Sequence, residues 1–166
     1  TEATLAQQVD SLITAVRFGI ISQVQELLTA NADVLVHKMD EGGQSAVHWA
    51  AMKGNVEMLH LLHTFGAPLD KKCLQGAEMT PLHWAAKEGR IGTMRFLVQN
   101  GHDLNIQDTN GCTPYVLAAQ YNKVNAVIFL WKSGADINLP DSSGDTAHHW
   151  AAYKGYSELM GLLYHI

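Results

Sequence analysis

One seven-residue string recurs along the chain and constrains the fold more than any other feature. The copy at residues 80–86 reads Thr-Pro-Leu-His-Trp-Ala-Ala, and related copies begin at Ser45, Thr113 and Thr146, at spacings of 35, 33 and 33 residues. A period near 33 is typical of a repeat protein in which each unit is a helix, a turn and a second helix. Neighbouring units bury each other's apolar faces, so the sequence predicts a solenoid.

Small residues at regular positions divide the chain into about five units. Gly or Asn occurs at 19, 54, 89, 122 and 155, where it marks the turn between the two helices of a unit. Twelve residues later, Gly or Asn is expected to end the second helix in the left-handed conformation, at Asn31, Gly66, Gly101 and Gly134. The units are predicted at 4–37, 38–72, 73–105, 106–138 and 139–166, within one domain of residues 1–166.

Helix boundaries follow from capping residues. Ser or Thr stands at the start of four predicted helix pairs, 45–65, 80–100, 113–133 and 146–166, and Pro81 and Pro114 follow at the first helical position. A less regular first pair is predicted at 4–31. The loops between pairs end in turn residues. These features resemble ankyrin repeats, so the predicted fold class is an all-α ankyrin-repeat solenoid of about five helix-turn-helix repeats with β-turn finger loops.

Composition argues against several functions. The net charge is −5 with no run of Lys or Arg, which predicts no nucleic-acid partner. The longest apolar run, 126–131, is far below the roughly 20 residues that span a bilayer. Cys73 and Cys112 have no metal or redox spacing, and no catalytic motif occurs, so we expect no disulfide, no cofactor and no catalytic residue in this segment. Protein partners are expected instead.

Nine histidines raise the question of a metal site. His48, His83 and His149 occupy the fourth position of the repeated string, where an imidazole bridges backbone groups of neighbouring turns. His60 and His63 are three residues apart on one predicted helix, but no third ligand accompanies them. The sequence therefore predicts structural histidines and no metal site.

The inner helices carry a candidate binding surface. Leu82, Ala85 and Ala86 form the stripe that faces the core, and Trp84 lies about 200° from Leu82, away from that stripe. The same register along the stack predicts an amphipathic strip on the concave face, rich in aromatic and cationic residues as peptide-binding strips are. Its members are Trp49, Met52, Lys53, Trp84, Lys87, Glu88, Tyr121, Trp150 and Tyr153.

Two interpretations of the tryptophans remain open at this stage. Trp49 and Trp84 either line a groove or pack beneath a neighbouring finger, and the same applies to Trp150. Trp131 lies on an outer helix and is predicted to be structural.

The tryptophan-bearing strings resemble one group of proteins. Ankyrin consensus has Leu where this chain has Trp, and three His-Trp-Ala-Ala copies, with 117–121 and 149–155, are similar to the N-terminal ankyrin domain of DHHC protein S-acyltransferases (palmitoyltransferases). The resemblance implies a cytosolic recognition domain before a membrane-embedded Asp-His-His-Cys catalytic core. Such a domain recruits proteins for palmitoylation at the cytosolic face of Golgi or other endomembranes, and the membrane is contacted only through the rest of the chain.

The resemblance also implies a peptide site. In animal members, a groove Trp and an Asn four residues after the preceding repeat's Trp hold a short, extended, Pro-containing segment of the substrate. Trp84 matches that Trp, whereas the Asn position falls on Lys53, which cannot accept the hydrogen bonds that an amide accepts.

A different class of function remains possible, a stand-alone ankyrin scaffold or inhibitor in a signalling complex. Sequence beyond Ile166 would separate the two, because an acyltransferase needs several apolar segments of about 20 residues around an Asp-His-His-Cys motif. The apolar end at Leu162, Leu163 and Ile166 and the start at Thr1 lead us to expect a longer native chain.

Overall fold

The computed structural model describes residues 2–166, with side chains from residue 4 onward. This part of the chain forms ten α-helices and no strand, apart from one isolated bridge between Met39 and Ser45. The helices are α1 (Glu2–Phe18), α2 (Ile21–Leu35), α3 (Ala46–Lys53), α4 (Val56–Thr64), α5 (Pro81–Glu88), α6 (Ile91–Gln99), α7 (Pro114–Gln120), α8 (Val124–Lys132), α9 (Ala147–Lys154) and α10 (Ser157–Leu163).

The helices stack in two rows. The odd-numbered helices form the inner row, in which each packs against its neighbours, and each inner helix also packs against the outer helix that follows it. The predicted all-α solenoid of five helix pairs is confirmed. Its core lies between the rows, where Leu82, Ala85 and Ala86 are fully buried.

Helix starts follow the predicted capping chemistry. Ser45, Thr80, Thr113 and Thr146 are the residues that precede the inner helices, each with an extended backbone. The Thr80 hydroxyl accepts a hydrogen bond from the backbone N–H of His83, which satisfies one of the free donors at the helix start. The predicted left-handed residues at Gly66, Gly101 and Gly134 are confirmed by φ angles of 82°, 85° and 95°.

The first unit departs from the prediction. Asn31 was expected to end α2 in the left-handed region, but its φ and ψ are −157° and 47°, and the helix continues beyond this kink to Leu35. Leu35 and Val36 are 1% and 2% exposed, so the extra turn buries apolar surface that the predicted end would have left in a loop. The Asn31 amide donates to Gln8 Oε1 on α1 at 3.3 Å, which holds the kink.

The finger loops are joined to one another at their tips. A backbone N–H of each later finger donates to a carbonyl of the preceding one: Leu74 to Gly43, Thr109 to Ala77 and Ser142 to Asn110, at 2.9–3.0 Å. At Gly43 and Gly111, φ is 75° and 74°, and a Cβ would lie 2.9 Å and 2.5 Å from backbone nitrogens of the next finger. Only glycine fits such an approach.

Candidate functional site

The inner helices are held to the fingers by histidines. Nδ1 of His83 accepts from the backbone N–H of Thr80 at 3.1 Å, so the proton lies on Nε2, which donates to the Cys112 carbonyl of the next finger at 3.0 Å. His48 makes the same pair of bonds, to Ser45 and to the Met79 carbonyl. Both rings are buried, and burial lowers the pKa of His48 to about 4 and also lowers that of His83. These histidines bridge neighbouring repeats, as predicted.

His149, in the last repeat, makes only the first half of this arrangement. Its Nδ1 accepts from the backbone N–H of Thr146 at 3.0 Å, and the ring is exposed. The described residues offer Nε2 no finger carbonyl, because no finger follows within 2–166.

A second set of bonds fixes two of the tryptophans. Trp49 Nε1 donates to Asp40 Oδ2 at 2.8 Å, and Trp150 Nε1 donates to Asp141 Oδ2 at 2.9 Å. Each aspartate lies in the finger that precedes its own inner helix. Burial alone would raise the pKa of Asp141, but the Trp150 indole and the amides of Asp145 and Ser143 outweigh it and lower the pKa. Trp49 and Trp150 are therefore partly buried rings locked to the scaffold.

Trp84 lacks this lock. In each finger, one backbone N–H donates to the carbonyl of the residue just before the Ser or Thr cap. The residue that donates is an aspartate in three fingers (Asp40, Asp108 and Asp141) and Cys73 in the fourth. Cys73 does not replace the carboxylate, because a thiol sulfur is only a weak hydrogen-bond acceptor, and this thiol donates to the Gln75 carbonyl at 3.3 Å. Trp84 Nε1 is buried with no hydrogen-bond partner among the described residues. The ring is otherwise partly exposed.

The fourth repeat has the aspartate but lacks the tryptophan. Asp108 is present in the finger, but Leu117 replaces the tryptophan, and Asp108 Oδ1 accepts only from the amides of Asn110 and Cys112. Leu117 packs with Cys112 and Val116 in a small cluster that Met79 and Trp150 flank.

Trp84 meets two other predicted site residues. The Lys87 ammonium lies 5.1 Å from the Trp84 ring centre and 4.8 Å from that of Tyr121, which belongs to the next repeat. Glu88 follows at the end of α5 and is partly buried. The structure thus brings Trp84, Lys87 and Tyr121 together.

The remaining predicted residues lie on either side. Lys53 is exposed at the end of α3, and the partly buried Met52 accepts a bond from Arg90 Nε at its carbonyl, at 3.0 Å. Tyr153 is 82% exposed, with its ring edge-on to Trp150 at 6.2 Å. On the outer row, Trp131 is 36% exposed, and its structural role stays a prediction.

Sequence reasoning missed several residues of this surface. Arg17 of α1 covers the Trp49 ring at 4.5 Å, and Asp40 and Asp141 fix two of the indoles. The signal for the aspartates was an Asp five residues before the Ser or Thr cap. The role of Cys73 was hidden by two extra residues in its finger.

The described residues do not assemble a metal or reactive centre. Within residues 2–166, no three His, Cys, Asp or Glu side chains are grouped to hold a metal ion, and His60 and His63 instead lie edge-on to Phe96. Cys73 and Cys112 are both free and buried, and burial, with Asp108 and Asp141, raises the pKa of Cys112 to about 12. Over the same residues, no helix is long and apolar enough to cross a bilayer.

The family follows from this geometry and from comparison with known sequences. Residues 12–108 and 92–166 match the family model of ankyrin repeats (3 copies), and the chain belongs to the ankyrin-repeat family. Ankyrin repeats are protein-interaction modules, which use the extended concave surface that stacking creates.

The particular relatives that the chain resembles are palmitoyltransferases. It is 33% identical over 104 residues to palmitoyltransferase Hip14 of Drosophila melanogaster, 32% over 104 residues to palmitoyltransferase ZDHHC17 of Danio rerio, and 30% over 102 residues to palmitoyltransferase ZDHHC13 of Mus musculus. These matches cover 60–61% of this chain but 16% of each relative, so the chain spans about a sixth of their length. The resemblance seen in the tryptophan-bearing strings is confirmed.

Proposed function

We propose that this chain is the substrate-recruiting module of a protein S-palmitoyltransferase. It binds short, extended segments of substrate proteins along the concave face of the inner helices. Membership of the ankyrin-repeat family supports a protein-binding role, and similarity to palmitoyltransferases supports the enzyme that it serves. The same proposal places the module at the cytosolic face of Golgi or other endomembranes, where the rest of the full-length chain would contact the membrane.

The observation that carries the proposal is the unpaired indole of Trp84. A buried donor without a partner costs about 1–3 kcal/mol, and the equivalent donors of Trp49 and Trp150 are already satisfied by Asp40 and Asp141. A backbone carbonyl of an extended peptide supplies the missing acceptor once the ring turns slightly toward the groove. Trp84 therefore gains a hydrogen bond from a ligand, whereas Trp49 and Trp150 have none to gain.

The surrounding residues take subsidiary roles in this proposal. Lys87 lies against the anchor and against Tyr121 of the next repeat, Glu88 follows Lys87 on α5, and Met52 and Lys53 belong to the preceding repeat. Trp49 at one end of the strip, and Trp150 with Tyr153 at the other, present ring surface for flanking peptide residues. Rings fixed in advance offer contact area at small entropic cost.

The test uses peptides selected from a random extended library against the wild-type chain. Trp84→Ala is expected to weaken the selected peptides by at least about thirtyfold, the equivalent of the roughly 2 kcal/mol that an interface anchor contributes. Trp84→Phe keeps a ring but removes the donor and should give an intermediate loss. Trp49→Phe, which loses a satisfied donor at the matched position, is the control. Peptides that bind Trp84→Ala as tightly as the wild type would refute the site.

A further inference from the structure

Lys87 occupies an unusual environment for a lysine. It lies on α5 one turn after Trp84, and its ammonium stands 5.1 Å from the Trp84 ring centre and 4.8 Å from the Tyr121 ring centre. Both distances are within the roughly 6 Å over which a ring face attracts a cation. The two rings come from adjacent repeats, and the space beside both of them that the Lys87 ammonium occupies is called the slot below.

The ammonium has no other partner. Among the described residues it makes no hydrogen bond and no ion pair, although Lys71 and Lys72 each donate to a finger carbonyl, of His37 and Gln107. Lys87 is also partly buried, so part of its hydration is lost. The ring faces are what holds this charge, which shows that the slot has the electrostatics to accept a cation.

We propose that the slot between Trp84 and Tyr121 is a subsite for a weakly hydrated cationic side chain of the bound peptide, and that Lys87 fills it in the free protein. This rests on the proposed function for the path of the peptide, but the cation preference belongs to the two rings themselves. The side chains with this chemistry are arginine and methylated lysine.

Hydration decides which cation holds the slot. A primary ammonium such as that of Lys87 is strongly hydrated and gains most by returning to water, whereas a guanidinium is more weakly hydrated and stacks on aromatic faces. A quaternary methylammonium is likewise suited to aromatic walls. Lys87 lies at the end of α5 on a flexible stem, so it can swing out to solvent as the ligand cation enters.

The charge of the chain favours such a ligand. The net charge is −5, which attracts cationic segments at long range, and Glu88 follows Lys87 in the sequence. Tyr121 is 45% exposed, so this ring is accessible to a ligand.

The experiment separates the slot from peptide binding as a whole. Tetramethylammonium is titrated into the wild type, Lys87→Gln and the matched control Lys132→Gln, and the Trp84 indole N–H signal is followed by NMR. Lys87→Gln empties the slot and should bind the probe about three- to thirtyfold more tightly than the wild type, the range to which cation–π energies convert. Lys132→Gln removes the same charge from an exposed position on the outer helix α8 and should behave as the wild type.

Two further arms fix the chemistry. Tyr121→Leu added to Lys87→Gln should abolish the gain, with the melting temperature as the check that the fold survives. A selected peptide with arginine or trimethyl-lysine at the slot should bind more tightly than its lysine form, and the citrulline form most weakly. The slot is refuted if Lys87→Gln binds the probe no better than the wild type, or if Lys132→Gln gains equally. If Trp84→Ala abolishes peptide binding but Lys87→Gln binds tetramethylammonium no better than the wild type, the proposed function stands and this subsite is rejected.

Discussion

The second and third repeats share the same sequence string and use it in different ways. In both, a Ser or Thr cap and a buried histidine fix the inner helix to the following finger, through His48 and His83. In the second repeat, Asp40 also fixes Trp49, whereas in the third, Cys73 stands at the corresponding position and Trp84 keeps a free donor. One difference in a finger thus separates a ring whose indole donor is satisfied within the scaffold from a ring whose donor has no partner among the described residues.

Trp84 should contribute less to stability than its core neighbour. Leu82 is fully buried, so Leu82→Ala should cost roughly 2–5 kcal/mol of unfolding free energy. Trp84→Ala removes a partly buried ring but also relieves its unpaired indole donor, so it should cost only about 1–2 kcal/mol. Urea denaturation followed by circular dichroism measures both. If Trp84→Ala lowers the unfolding free energy as much as Leu82→Ala does, Trp84 is a core residue and does not differ in role from Trp49.

Acid should weaken the feature that the two repeats have in common. The folded pKa of His48 is lowered by burial from 6.5 to about 4, and that of His83 is lowered too, so the unfolded chain binds more protons between these values. Stability should therefore be constant above about pH 7 and fall as the pH drops from 6.5 toward 4, by roughly 3 kcal/mol for His48 alone. Urea midpoints at pH 7.5 and 4.5 test this. Equal midpoints would contradict it, and His48→Gln should reduce the difference.

Asp40→Asn should loosen the locked ring. Oδ2 of Asp40 accepts from the Trp49 indole and Oδ1 from the Gln44 amide, so an asparagine must turn its NH₂ toward one donor. We expect a loss of about 1–2 kcal/mol, at the lower part of the range for hydrogen bonds to charged groups because the site is only partly buried. Asp108→Asn is the control, since both of its bonds fall on Oδ1 and it has no indole partner. Equal losses at Asp40 and Asp108 would show that the indole bond contributes nothing.

The smallest change in stability is expected from giving the Trp84 indole a carboxylate acceptor. Residues 73–79 are replaced by the five-residue finger sequence of 108–112, which places an aspartate where Cys73 stands. The new carboxylate should accept the Trp84 indole and raise the unfolding free energy by about 1 kcal/mol. Selected peptides should bind this variant more weakly, because the anchor donor is already satisfied. A stabilised variant that binds peptides unchanged would show that the free donor is irrelevant to recognition.

Local pattern was sufficient for the repeated parts of the molecule. The caps at Thr80 and Thr113 and the placement of Lys87 beside Trp84 follow from short-range spacing, because helical geometry sets them. The histidine bridges to the next finger follow from the repeat period instead. The prediction for Asn31 was wrong, since its conformation depends on how much apolar surface the residues after it bury against α1. The sequence pattern also could not predict which tryptophans have a hydrogen-bonded indole. Trp49 and Trp84 have nearly identical neighbours along the chain, and the residue that distinguishes them is in a finger whose length differs.

The glycines at the finger tips have a consequence for the shape of the concave face. Gly43 and Gly111 let two pairs of adjacent fingers approach to backbone contact, while helix packing sets the spacing on the opposite side of the stack. The curvature of a solenoid is the sum of such small rotations between repeats. A methyl group at either glycine would wedge the fingers apart and flatten the arc on the finger side. The curvature of the concave face is therefore set partly by two finger positions that carry no side chain.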